Sequence, residues 1–151
     1  MADDDSLVFV VDDDRSLTES LTWLIEADGL RVSAFNDPKR FLEHYTPDQP
    51  GCLLSDIRMP GMSGLELQSV LRQQSLFIPI VFMTAHGDVP MAVRAMKQGA
   101  VDFLTKPFSD RTLLTALHKG LDIDRESRNQ QVNNAKTASC LAKLTPRERE
   151  V

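Results

Sequence analysis

A chain of 151 residues holds one domain of ordinary size with a tail. Its 42% hydrophobic and 26% charged residues are the balance of a soluble globular protein, and a net charge of -5 argues against a basic nucleic-acid surface along the whole length. The two cysteines, Cys52 and Cys140, make no disulfide framework, no apolar run approaches a membrane span, and the N-terminus lacks a secretory signal, so a cytoplasmic protein is expected.

The chain opens with acids, Asp3-Asp4-Asp5, that read as a solvated tail. A first apolar run, Leu7–Val11, is closed by Asp12 and Asp13. Leu17, Leu21, Leu24 and Ile25 then recur at i, i+4, i+7 and i+8, one face of a helix, with Ser16 and Glu19 spaced as a capping box at its start. A weaker strand pattern covers Arg31–Phe35, and Asp37-Pro38 opens a second helix carrying Phe41 and Leu42. The run 52–55 ends in Asp56, followed by Arg58-Met59-Pro60-Gly61, which reads as a buried strand entering a loop. Leu65, Leu67, Val70 and Leu71 make a third helix after the loop 61–64. The apolar run 78–83 is a fourth strand, followed by Thr84 and Ala85. Met91, Ala92, Ala95 and Met96 make a fourth helix, closed by Gly99 as its C-cap. A fifth strand, 101–105, is closed by Lys106-Pro107, where a turn through a cis bond would aim the lysine. Leu113, Leu114, Leu117 and Leu121 make a fifth helix. Trp23 and the methionines fit core positions, and Cys52 fits a buried strand as a small hydrophobe, whereas Cys140 lies in a polar stretch and should be exposed.

Beyond Leu121 the composition turns polar, and residues 122–143 read as a linker with a helical extension in its first half. Thr145 and Glu148 then have capping-box spacing, with Pro146 at the first helical position. A second domain beginning within 144–151 is therefore expected.

Five strands alternating with five helices predict an α/β fold, a doubly wound five-stranded parallel sheet with right-handed crossovers. Strand runs without clean alternation fit a sheet covered on both faces. Ligands of such sheets bind beyond the carboxyl ends of the strands, at a topological switch point. Asp12, Asp13, Asp56 and Lys106 all stand at such ends.

Converging carboxylates repel, at about 4 Å by roughly 4 kcal/mol per pair for an effective dielectric near 20. Mg²⁺ is the natural compensation, a hard cation that takes oxygen ligands and keeps waters and substrate phosphate. Asp13 and Asp56 are the candidate direct ligands, with the backbone carbonyl of Arg58 a third and Asp12 acting through a metal-bound water. Asp14 either caps the following helix or joins the site. Asp56, alone at its strand end, is the candidate nucleophile for an aspartyl phosphate. Lys106 is a point charge for a phosphoryl oxygen, and Thr84 offers a hydroxyl donor to another, beside a small Ala85 that leaves the phosphate accessible. His44, His86 and His118 show no metal spacing.

The set VVDDD, SDIRMPGMSG, MTAHGD and DFLTKPF resembles the CheY-like receiver domain of two-component response regulators, over roughly residues 7–120. The stretch AHGDVPMAVRAMKQGAVDFLTKPF is similar to FixJ-like regulators, and the terminal LTPREREV resembles the opening of a LuxR-type helix-turn-helix domain. The resemblance implies a receiver over 6–121, a linker over 122–143 and the start of a DNA-binding domain over 144–151, whose reading helix would lie further on. It implies Asp56 as phosphoacceptor, Asp12 and Asp13 as the acidic Mg²⁺ pair with the Arg58 carbonyl, Thr84 as switch hydroxyl, Phe103 as switch aromatic and Lys106 as phosphate-sensing lysine. Position 103 is Phe where many receivers carry Tyr, so a readout through a phenolic hydrogen bond is unavailable to this chain. The implied partner is a histidine kinase, and the implied active form a dimer through the fourth helix and fifth strand that regulates transcription through DNA. Such a protein is a switch rather than a turnover enzyme, labelling itself from a phosphodonor and slowly losing the label. Two other classes bear on the same residues. A haloacid-dehalogenase-type phosphatase would use Asp12 as nucleophile and Asp14 as general acid. A plain flavodoxin-like binding module would need a Gly/Ser/Thr-rich phosphate loop after the first strand, where this chain has acids.

Overall fold

A computed structural model describes residues 6–85 and 89–143, with side chains described over 6–84 and 90–128. The readings made for Asp3-Asp4-Asp5, His86 and the segment 144–151 lie outside the described residues, as do the side chains of Ala85 and Cys140. The elements follow in strict alternation: β1 Leu7–Val11, α1 Arg15–Ala27, β2 Arg31–Phe35, α2 Pro38–His44, β3 Gly51–Asp56, α3 Gly64–Gln73, β4 Ile80–Ala85, α4 Val89–Lys97, β5 Asp102–Lys106 and α5 Asp110–Lys143. All strand pairs are parallel, in the order β2-β1-β3-β4-β5.

Alternate strand residues face opposite ways, and two cores result. Phe9, Val11, Leu53, Ile80 and Phe82 point to one face and meet Phe41 of α2, Leu67 and Leu71 of α3, and Ala92 and Ala95 of α4. Val8, Val10, Leu54, Val81 and Met83 point to the other and meet Leu21 and Ile25 of α1 and Leu113, Leu117 and Leu121 of α5. Both faces are covered, which is why the strands read as continuous apolar runs. The edge strand β2 reads weakly because Arg31 and Ala34 are exposed.

Local chemistry explains the differences from the sequence reading. The cap of α1 is Asp14, whose side chain accepts from Leu17 N; Ser16 lies inside the first turn and the Ser16–Glu19 box does not form. A full capping box forms instead at α3, where Ser63 and Glu66 each accept the other's backbone N–H. Strand β4 starts at Ile80 rather than 78, because Pro79 brings no N–H to a ladder; its carbonyl accepts from Leu53 N at 2.8 Å. It also continues through Thr84 and Ala85, which pair with Thr105 and Lys106. The Lys106–Pro107 peptide is cis. Trp23 is not in the core but 79% exposed, and Met96 is 39% exposed. Trp23 follows Leu21 by two positions, roughly 200° around a helix with 3.6 residues per turn, so it faces away from the sheet.

Helix α5 runs past Leu121 over the polar stretch to Lys143, further than the expected half of the linker. Its first polar turns are tied to the sheet. The nearly buried Asp124 accepts from Gly51 N at 3.0 Å and from Arg128 Nε at 2.9 Å, and Arg128 Nη2 donates to the Gln49 carbonyl at 2.8 Å. No helix among the described residues is long and apolar enough to cross a membrane.

Candidate functional site

The order β2-β1-β3 makes β1 and β3 neighbours whose connections leave on opposite sides, so their following loops part and open a crevice. Val11 pairs with Ser55, so Asp12 and Asp56 face each other one step beyond. The carboxylates of Asp12, Asp13 and Asp56 lie within 4.8 Å of one another. Lys106 arrives from β5, three strand spacings or roughly 14 Å away from β1. Its Nζ lies 3.4 Å from Asp12 Oδ2 and 3.6 Å from Asp56 Oδ2. The four predicted charged residues therefore meet in one place.

Asp12 is buried and Asp56 nearly so, whereas Asp13 is exposed. Burial raises the Asp12 carboxyl above its ordinary range; the Asp14 N–H, 2.9 Å from Asp12 Oδ1, and Lys106 pull it partly back. Burial, then repulsion from Asp12, raises Asp56, opposed by Lys106 and by the N–H groups of Arg58 and Ile57. One lysine thus leaves the cluster's negative charge undercompensated. Oxygen donors grouped in this way suit a hard divalent cation, and Asp12, Asp13 and Asp56 fit Mg²⁺.

Raised carboxyls make stability depend on pH. A carboxyl whose folded value lies above its unfolded one favours folding while protonated, and that gain is lost as pH rises through the folded value. In metal-free buffer Asp56→Asn should therefore be more stable than the wild type at pH 7, by on the order of 1 kcal/mol, or a few °C in Tm. The gap should close as pH falls to the ordinary carboxylate range. Thermal melts across pH in a chelator measure it; a gap that widens on acidification contradicts the electrostatics described.

Thr84 is 3% exposed and sits one residue beyond Met83, the β4 partner of Asp56, and level with Thr105 on β5. It therefore lies between the Asp56 and Lys106 strands. Phe103, on β5 opposite Phe82, is half-buried against the α2–α3–α4 core. Asp14 is exposed and caps α1, and it is not part of the carboxylate cluster.

Two residues at the site escaped the sequence reading. Asn36, just past β2, donates to the Asp12 carbonyl at 2.9 Å. Gly64, the first residue of α3, returns the loop against Asp56, and a Cβ there would lie 2.5 Å from the Asp56 carbonyl oxygen and 3.0 Å from Ile57 Cα. Gly64→Ala should cost about 1–3 kcal/mol, the usual penalty of overpacking against backbone that cannot give way. Urea denaturation reads it directly, and an unchanged midpoint contradicts the close approach.

Residues 8–118 match the response regulator receiver domain. Nodulation protein W of Bradyrhizobium diazoefficiens is 47% identical over 146 residues, covering 97% of this chain and 64% of its own length. The transcriptional regulatory protein FixJ of Azorhizobium caulinodans is 42% identical, covering 95% of this chain and 68% of its own. The chain thus spans about two-thirds of the length of these curated relatives. Among solved structures, that of response regulator StyR superposes with a TM-score of 0.87 at 49% identity, covering 95% of this chain and 72% of that one. The FixJ-N structure gives 0.75 at 40% identity, covering 78% and 94%. The haloacid-dehalogenase alternative is not supported, since the matched family is a different one and its required general acid, Asp14, is occupied as a helix cap. The chain belongs to the response regulator receiver domain family.

Proposed function

We propose that this chain is a phosphorylation-driven switch in which Asp56 accepts a phosphoryl group from the phosphohistidine of a partner kinase. The supporting observation is the single pocket: Asp56 faces Asp12 and Asp13 within 4.8 Å, with Lys106 Nζ 3.6 Å away. A carboxylate oxygen of Asp56 attacks phosphorus, an acyl phosphate O–P bond forms, the P–N bond to the donor breaks, and the imidazole keeps the electron pair. Asp12, Asp13, Asp56 and the Arg58 backbone carbonyl would hold Mg²⁺, which would supply charge neutralisation for the transferring group. Lys106 pairs with one phosphoryl oxygen and the Thr84 hydroxyl with another.

Those two contacts are the switch. Charge-assisted hydrogen bonds contribute about 1.5–3 kcal/mol each, so together roughly 3–6 kcal/mol. Moving an equilibrium from about 1:99 to 99:1 takes about 5.5 kcal/mol. The two contacts are of the size the task requires. As Thr84 moves toward the phosphoryl group, Phe103 turns into the space behind it and alters the face formed by α4 and β5. That face carries Val93 and Met96, 44% and 39% exposed, which suits dimer formation through α4 and β5. The output is regulation of transcription through DNA, supported by relatives named as transcriptional regulators. A cytoplasmic location follows from this reading.

Acetyl phosphate stands in for the kinase in the test. Intact mass spectrometry should show one phosphoryl group per chain with Mg²⁺ present and none in a chelator. Labelling that ignores the chelator contradicts the assignment of the acids to the cation.

A further inference from the structure

Three mutually repelling carboxylates need something to keep them aimed at one point. Two of them sit on the turn joining β1 to α1, and that turn is gripped from β2. Phe35, the last residue of β2, accepts the Asp12 N–H through its carbonyl at 3.1 Å. Asn36, the next residue, donates from Nδ2 to the Asp12 carbonyl at 2.9 Å and to Thr18 Oγ1 at 3.0 Å. Thr18, 2% exposed, donates its hydroxyl hydrogen to the Arg15 carbonyl at 3.0 Å. Both ends of the acidic turn, Asp12 and Arg15, are therefore tied to one amide.

We propose that Asn36, acting through Thr18, is a positioning residue for the divalent-cation site: it holds the acidic turn so that Asp12 and Asp13 meet Asp56. This rests on the Mg²⁺ reading given above. The residue type suits the task. The primary amide offers two hydrogens and adds no charge beside a crowded acidic cluster, whereas an aspartate would turn acceptors toward both Asp12 O and Thr18 Oγ1. Reversing the amide would set its oxygen against the Asp12 carbonyl, so the donor assignment is the one the neighbours permit. Helix capping does not explain the residue, because α2 is capped by Asp37, which accepts from Lys39 N. Groups that orient metal ligands from behind commonly contribute about 10–100-fold to metal affinity.

The test compares wild type with Asn36→Ala, Thr18→Val and the double variant. Mg²⁺ affinity is measured by calorimetry, and labelling by acetyl phosphate is followed over a Mg²⁺ series. Each single variant should bind Mg²⁺ about tenfold more weakly. The double variant should be little worse than Asn36→Ala, because both substitutions break one hydrogen-bond chain. Labelling should be slow at low Mg²⁺ and return to the wild-type rate at saturation. Thr18→Val keeps the side chain's shape, so it carries the test if Asn36→Ala does not fold. Affinities within about twofold of wild type in the folded variants, or slow labelling that saturating Mg²⁺ does not restore, overturn the positioning role. A wild-type protein that binds no Mg²⁺ overturns the cation reading instead.

Discussion

Asp56→Asn should abolish labelling by acetyl phosphate, leaving no phosphoryl group above background on the intact protein. The substitution preserves shape and removes only the nucleophilic oxygen and the charge. Asp12 and Asp13 remain within the same pocket, and Lys106 still faces Asp12 at 3.4 Å. The variant therefore separates one particular carboxylate from acidity in general. Asp12 is a poor substitute, because its Oδ1 already accepts the Asp14 N–H and its side chain is buried. Asp13 is exposed and less confined. Label persisting at the wild-type level would mean that a different residue receives the group.

The second large effect falls on Lys106→Met, which keeps a stem of similar length and removes the ammonium. In metal-free buffer the protein should lose about 2 kcal/mol of stability, read by urea denaturation. Removing one partner of a buried ion pair costs roughly 3–5 kcal/mol; the figure is discounted because the Lys106 side chain is 30% exposed and solvent screens it. Mg²⁺ should recover much of the loss, since it supplies the missing positive charge. Labelling of Asp56 should survive, while the response to it fails: light scattering should show no dimer after acetyl phosphate where the wild type shows one. A variant as stable as wild type that still dimerises would remove Lys106 from the switch.

Much of this was legible in the chain because the informative signals are local. An apolar run closed by an acid is visible at Val11-Asp12-Asp13 and again before Asp56, and parallel alternation alone brings those ends to one edge. Asp37-Pro38 was readable as a helix start, and Gly99, at φ 102°, as a helix end, from residue type alone. What stayed hidden depends on contacts between distant segments. Asn36 touches Asp12 across 24 residues, and nothing in its own neighbourhood distinguishes it from a turn asparagine. Gly64 is required by the Asp56 carbonyl above it, a proximity known only once α3 is docked. Residue type alone sends Trp23 to the core, whereas its spacing from Leu21 sets it on the outer face of α1, where it is exposed. Composition alone does not show how far α5 runs past Leu121, because the anchor of its first polar turns, Asp124 on Gly51 N, spans 73 residues. The competing caps at Asp14 and Ser16 show a further limit, as two plausible N-caps lie two residues apart and geometry chooses the first.

Reductive trapping tests the shared pocket most directly. Protein labelled by acetyl phosphate in Mg²⁺ is treated with borohydride, which reduces an aspartyl phosphate to homoserine, and the modified residue is located by peptide sequencing in a mass spectrometer. Homoserine at position 56, absent when a chelator replaces Mg²⁺, is the expected result. Homoserine at position 12 or 13, or a label that leaves every aspartate intact, would contradict it.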